Sequence, residues 1–287
     1  MKTLDSHLHL WDPQLLHYDW LKDVPAINRA CLPTELAAQP HAPDAVIVVQ
    51  ADCAPEDALK EVDWINHLAE RSPLRIMGIV AWAPLETGDA VRPYLRQLRK
   101  LPRVVGIRRS LQNEPLALFY DANYRAGLLA AVRENFTVDL CVRASQLAAV
   151  NDLLTWLYQQ EPEARIVLDH MGKPGIVQHE WQAWVDGFDA LSTFPNLSCK
   201  ISGLPTEADW HQWQPEHLKP WITHAITRFG PERCLFGGDW PVVELAGGYT
   251  RWRQCVEACL TTLQPKQQQA IMAENARRVY LTAPGGK

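Results

Sequence analysis

His7 and His9 stand one residue apart in the run TLDSHLHLWDP, residues 3 to 13. Side chains alternate along a strand, so two imidazoles at that spacing share one face while Leu8 and Leu10 share the other. A buried imidazole pair is costly unless its nitrogens are satisfied. Metal ligation would satisfy them, histidine being the commonest ligand; so would a catalytic role or plain hydrogen bonding in a core. Other polar residues stand at the ends of apolar runs: Arg108 and Arg109, Arg143, Asp169 and His170, Lys200 followed by Thr206 and Glu207, and Asp239 before Trp240 and Pro241. Each alone has a structural explanation. Arg109 and Asp239 would make an ion pair, Glu207 would suit a helix start, and Asp12 before Pro13 reads as a turn residue. It is the coincidence that points to one site.

The elements that must position these residues recur along the chain. Apolar, β-branched runs begin at Thr3, Ala45, Arg75, Arg103, Phe136, Arg165, Asn196 and Arg233, which makes eight candidate strands. Most are spaced by about 30 residues, the length of one βα unit. Helical stripes fill the gaps: Leu59, Val62, Ile65 and Leu68 after a Pro55 start; Leu147, Val150, Leu154 and Leu157; Trp181, Trp184, Phe188 and Leu191. These stripes are core packing. Alternating strands and helices imply a parallel sheet covered by helices, and eight such strands imply a closed α/β (β/α)8 TIM barrel. No glycine-rich phosphate loop follows any strand, which argues against a nucleotide-binding doubly wound sheet. The chain reads as a single domain over 1–287, with 250–287 as closing helices.

In such a barrel chemistry sits at the C-terminal ends of the strands. The first and eighth strands are neighbours, so His7, His9 and Asp239 would converge, with His170 of the sixth strand across the mouth. Composition narrows the classes further. A net charge of -5 with scattered signs offers no footprint for nucleic acid. No run of apolar residues is long enough for a membrane span, and residues 1–30 lack a signal-peptide pattern. Seven irregularly spaced cysteines, Cys255 and Cys259 included, read as free thiols of a cytoplasmic protein.

The motifs taken together resemble the amidohydrolase superfamily, in its branch of small lactone hydrolases. DSHLHLWDP followed by YDWL is similar to that branch's opening signature. GIRRSLQ, LDHMGKP, CKISGLPTEADW, GGDWPV and ENARRVYL then match in the expected order over nearly the whole chain. The nearest likeness is to lactonases of fucose- and rhamnose-type aldonolactones. The resemblance implies a (β/α)8 barrel, a small-molecule lactone substrate, and His7, His9, His170 and Asp239 as the strand-one, strand-six and strand-eight site residues. The fifth strand, VDLCVRAS, lacks the histidine of binuclear members, and the fourth ends in Arg108-Arg109, so a two-metal centre is not expected. One divalent ion, zinc by its chemistry, held by His7, His9 and Asp239 fits a three-ligand catalytic site. Because some lactonases of this branch need no metal, a metal-independent route stays open.

On that reading Asp239 is the general base. The histidines hold a metal or relay protons, and Arg109, Arg143 and Lys200 supply positive charge to the developing oxyanion. Of Arg108 and Arg109 only one can face the barrel, and Arg109 is the expected one. Trp11, Trp82 and Trp240 are expected to stack on a sugar ring, with Arg143 and Glu207 beside it. If arginines grip a substrate carboxylate instead, the substrate is a pyrone dicarboxylate lactone. A metal-dependent decarboxylase is the second enzyme class, and a homo-oligomer is compatible with every reading.

Overall fold

The computed structural model describes residues 1–282. Eight parallel strands follow one another in chain order around a barrel: β1 (Leu4–Leu8), β2 (Ala45–Val49), β3 (Arg75–Ala81), β4 (Val104–Arg108), β5 (Thr137–Leu140), β6 (Ile166–Leu168), β7 (Leu197–Ile201) and β8 (Cys234–Phe236). Each starts within one residue of the sequence expectation. The helices are α1 (Pro33–Ala37), α2 (Ala58–Ala69), α3 (Arg92–Lys100), α4 (Ala122–Arg133), α5 (Leu147–Gln160), α6 (Trp181–Ser192), the single turn α7 (Leu204–Glu207), α8 (Pro215–Phe229), α9 (Tyr249–Leu260) and α10 (Pro265–Gln269). The expected closing helices are present through Leu281; 283–287 lie outside the described residues.

Alternation sorts the strand residues between two cores. One face packs on the helices, through Ile107, Val138, Leu140 and Leu168 against stripes such as Leu147, Val150, Leu154 and Leu157 of α5. The other face fills the barrel. Leu4, Ala45, Ile47, Val49, Val80, Val167 and Leu235 pack there against Ala273, Ala276, Val279 and Tyr280 of the segment after α10. The barrel interior is thus apolar towards this segment and turns polar towards the strand C-termini, which is the layering such barrels use.

Parity along each strand then decides which polar side chains enter. On β4, Gly106 faces Tyr280, so Arg108 two residues on also faces inward and Arg109 does not. On β5 the same parity sends Asp139 in, with Cys141 beyond it at the cavity. Around β1 and β8 the barrel closes by a different device. Asp239 N–H donates to His7 O at 2.7 Å and His9 N–H to Trp240 O at 2.7 Å, both at or beyond the strand ends. Below them Ser6 Oγ donates to Phe236 O at 2.7 Å. Asp5 Oδ1 accepts from His7 N–H and Gly238 N–H, each at 2.9 Å. Gly237 makes this approach possible: a Cβ there would stand 2.8 Å from His7 Cβ.

Candidate active site

Four residues converge where β1, β6 and β8 end. His9 Nε2 lies 3.5 Å and His7 Nε2 3.8 Å from Asp239 Oδ1. The His7 and His170 rings are 4.4 Å apart between centroids, and His7, His170 and Asp239 offer ligand atoms all within 4.8 Å of one another. Their backbones are unusual. His170 and Asp239 take positive φ, 52° and 54°, and so does Asp52 after β2, at 51°. Non-glycine residues adopt this region rarely, and its clustering at strand ends is typical of functional sites.

Each ring is oriented from behind. His9 Nδ1 donates to Val49 O at 2.9 Å, and His170 Nδ1 is hydrogen-bonded to Ser202 Oγ at 2.8 Å. His9 in its neutral form therefore turns a bare Nε2 lone pair towards a carboxylate oxygen. Two acceptors face one another, an arrangement that calls for a cation or a proton between them. His7 has a choice: its Nδ1 lies 3.1 Å from Lys200 Nζ and 3.3 Å from Asp169 Oδ1. With Nδ1–H donated to Asp169, Nε2 presents a lone pair to the mouth; with Lys200 donating, Nε2 carries a proton towards Asp239. Burial drives both His7 and His170 well below the usual imidazole range. Burial opposes charge on Asp239 as well, but His170 and His9 outweigh it and hold the carboxyl below the usual carboxylate range. His7 and His170 are thus neutral rings beside an anion, which fits a divalent ion with nitrogen and oxygen ligands.

Directly beneath lies a second ionic layer. Lys200, wholly buried, bonds Asp139 and lies 3.0 Å from Asp169 Oδ1. Tyr280 Oη donates to Asp139 at 2.6 Å. Arg108 Nη1 reaches within 3.6 Å of Asp169 and 3.5 Å of His7 Nε2, while Nη2 donates to Gln50 O at 2.6 Å. Burial and the nearby Asp169 raise Asp139 to about 6, against the pull of Lys200; Lys200 and His7 overcome burial to hold Asp169 far below its ordinary range. Two further ligand-type groups, Cys141–Asp169–His170 and His7–Asp139–Asp169, include these carboxylates. Their negative charge is already met by Lys200 and Arg108, so the uncompensated anion is Asp239.

Above the four residues opens a cavity of about 550 Å³, within the range of small-molecule sites. His9, His170, Asp239 and Arg108 form its floor, and Trp20, Asp52, Gln112, Asn113, Cys141 and Lys173 are among its walls.

Several expectations are corrected here. Arg109 points away: its guanidinium is held by Glu86 at 3.1 Å and Glu114 at 2.8 Å, and the inward arginine is Arg108. Lys200 touches His7 rather than the cavity. Arg143 braces the loop after β4, donating to Gln112 O at 3.1 Å and Asn113 Oδ1 at 3.0 Å. Glu207 stands 3.5 Å from Lys173, outside the cavity lining. Trp11 is fully buried with Nε1 donating to Ile27 O at 3.1 Å, Trp240 is buried, and Trp82 packs on Tyr94. The tryptophan at the cavity is Trp20, from YDWL. Asp139 and Asp169 had a visible signal, an acid inside or ending an apolar strand; Trp20 had only its motif.

A parallel eight-stranded barrel with histidine and aspartate at the ends of its first, sixth and eighth strands is an amidohydrolase arrangement, and the chain belongs to that family, whose model matches residues 4–281. It is similar to the L-fucono-1,5-lactonase of Burkholderia multivorans, 28% identical over 96% of this chain and 95% of that protein. A second L-fucono-1,5-lactonase, from Burkholderia ambifaria, is 29% identical over 99% and 97%. Among solved structures, an amidohydrolase from Burkholderia multivorans with bound zinc superposes with a TM-score of 0.86 at 28% identity, covering 99% of this chain and 100% of that one.

Proposed function

We propose that the protein hydrolyses a small sugar lactone to its hydroxy acid. The carrying observation is the ionised Asp239 at the cavity floor, among His7, His9 and His170. The likeness to two proteins named L-fucono-1,5-lactonase supports the same reading. The cavity favours a neutral, polyhydroxylated ring over a dicarboxylate. Of its lining cations, Lys22 pairs with Asp19 at 2.9 Å and Lys173 with Glu207 at 3.5 Å, which leaves Arg108 as a single cation at the floor rather than a pair for two carboxylates. The arginines that would grip a carboxylate pair, Arg109 and Arg143, lie outside the lining.

In this reading Asp239 accepts a proton from the attacking water as its oxygen bonds to the lactone carbonyl carbon. The ring C–O bond then breaks, and Asp239 returns the proton to the departing alkoxide. Arg108, fixed by Gln50 O, is the cation placed to oppose charge on the carbonyl oxygen, the role expected of Arg109. His9 and His170, oriented by Val49 O and Ser202, flank Asp239 and line the place of the attacking water. A divalent ion held by His7, His170 and Asp239, with His170 in the place expected of His9 and His9 alongside, would acidify water and polarise the carbonyl.

The test is an indicator assay of proton release on aldonolactones and pyrone carboxylates, before and after chelation. Acid release on sugar lactones is expected, with activity lost on chelation and restored by zinc. Silence on all lactones with CO2 released from aromatic acids would replace this reading with the decarboxylase. Full activity after metal removal would leave the carbonyl to Arg108 alone.

A further inference from the structure

Trp20 is the single tryptophan lining the cavity among the described residues. Its indole is fixed at two points. Nε1 donates to Ala51 O at 2.9 Å, and Trp11 packs perpendicular to it, with centroids 5.2 Å apart and planes at 88°. The mount of this ring is itself anchored. Glu61 of α2 is buried, and its Oε1 accepts both from Tyr18 Oη at 3.3 Å and from Ala51 N–H at 3.1 Å. One carboxylate thus ties the segment carrying Trp20 to the residue whose carbonyl holds its ring. Such bracing gives a flat, apolar surface of fixed orientation, which is what a stacking platform requires. Near it the cavity lining supplies hydrogen-bonding groups, Asp52, Gln112 and Asn113.

We infer that Trp20 is a specificity-determining wall of the cavity, its indole covering the C–H face of a polyhydroxylated lactone ring while Asp52, Gln112 and Asn113 take the hydroxyls. The inference rests on the lactone hydrolysis proposed above. It assigns Trp20 a binding part equal in ground and transition states, so its removal acts on KM and leaves kcat nearly untouched.

The experiment uses the whole enzyme with the aldonolactone it hydrolyses best, and the matching aldonolactam, which keeps the ring, as a binding probe by titration calorimetry. Trp20→Leu keeps apolar bulk without the ring, and Trp20→Phe keeps an aromatic face. Trp20→Leu is expected to raise KM and the aldonolactam Kd together by roughly tenfold, with kcat within about twofold, and Trp20→Phe to recover most of the loss. Unchanged KM and Kd in a folded Trp20→Leu enzyme would overturn the inference. So would a fall in kcat alone, or a phenylalanine variant no better than leucine. A wild type silent on every aldonolactone would overturn the reading beneath it instead, and the two failures are told apart by the wild type.

Discussion

Two layers of ionisable side chains lie one above the other at the C-terminal end of the barrel, and their valences face different things. In the lower layer Lys200, Asp139, Asp169 and Tyr280 meet one another: an ammonium between two carboxylates, with a phenol donating to one of them. In the upper layer His9, His170 and Asp239 are held from behind by backbone or hydroxyl groups and turn their remaining atoms to a cavity. Charge and burial are similar in both. What separates scaffold from candidate machinery is whether the last valence is met inside the protein, and neither residue type nor strand end reveals that.

The contrast breaks most readily at its two centres. Asp239→Asn should lower kcat by about 10²–10⁴-fold with the thermal midpoint little changed. Turnover within about threefold of wild type would remove Asp239 from its role. Lys200→Met leaves Asp139 and Asp169 without their shared cation, and should cost about 3–5 kcal/mol in urea unfolding. Full stability with lost turnover would move Lys200 into the upper layer. The adjacent arginines give a smaller, sharper comparison. Arg108→Met should lower kcat/KM by roughly 10²-fold, while Arg109→Met, loosing only partly exposed pairs with Glu86 and Glu114, should change it less than about twofold and stability by about 1 kcal/mol. Equal effects would mean that strand parity does not govern access to the cavity.

Glu61 tests a buried acid whose hydrogen-bond partners, Tyr18 Oη and the N–H of Ala51, are both neutral. Burial lifts it from 4.5 to about 7, against the N–H of Ala51. A raised carboxyl favours the folded state fully below its unfolded value and loses that benefit as pH climbs through its folded value. Wild type should therefore lose stability relative to Glu61→Gln between about pH 4.5 and 7.5, by on the order of 3 kcal/mol at most. A difference in thermal midpoint that stays flat with pH would refute the buried, titrating Glu61.

Much of this was legible in the sequence. Strand starts were readable because β-branched runs ended abruptly in polar residues, and the stripes of α5 and α6 gave the helix faces. The same logic singles out His7, His9, His170 and Asp239, each at a strand end, and these four converge in the fold. What failed was single-residue parity. Arg108 and Arg109 differ only in which side of β4 they leave from, and that is fixed by Gly106 facing Tyr280, a contact between distant parts of the chain. The tryptophans failed for another reason. Trp20 sits in a short 3-10 turn, Asp19–Asp23, where no period tells inside from outside. Trp11 and Trp240 stand nearer the histidines and aspartate in sequence, yet they are packing.

The closure at β1 and β8 has a consequence for the newly made chain. Asp5 and Gly238, which its carboxylate joins to His7, are 233 positions apart. On the ribosome the histidine pair emerges with the first strand, but its aspartate appears only after the other seven strands have been synthesised. A stalled or nicked product ending before the eighth strand would carry both histidines and no assembled centre. Formation of the cluster therefore waits on synthesis of the eighth strand.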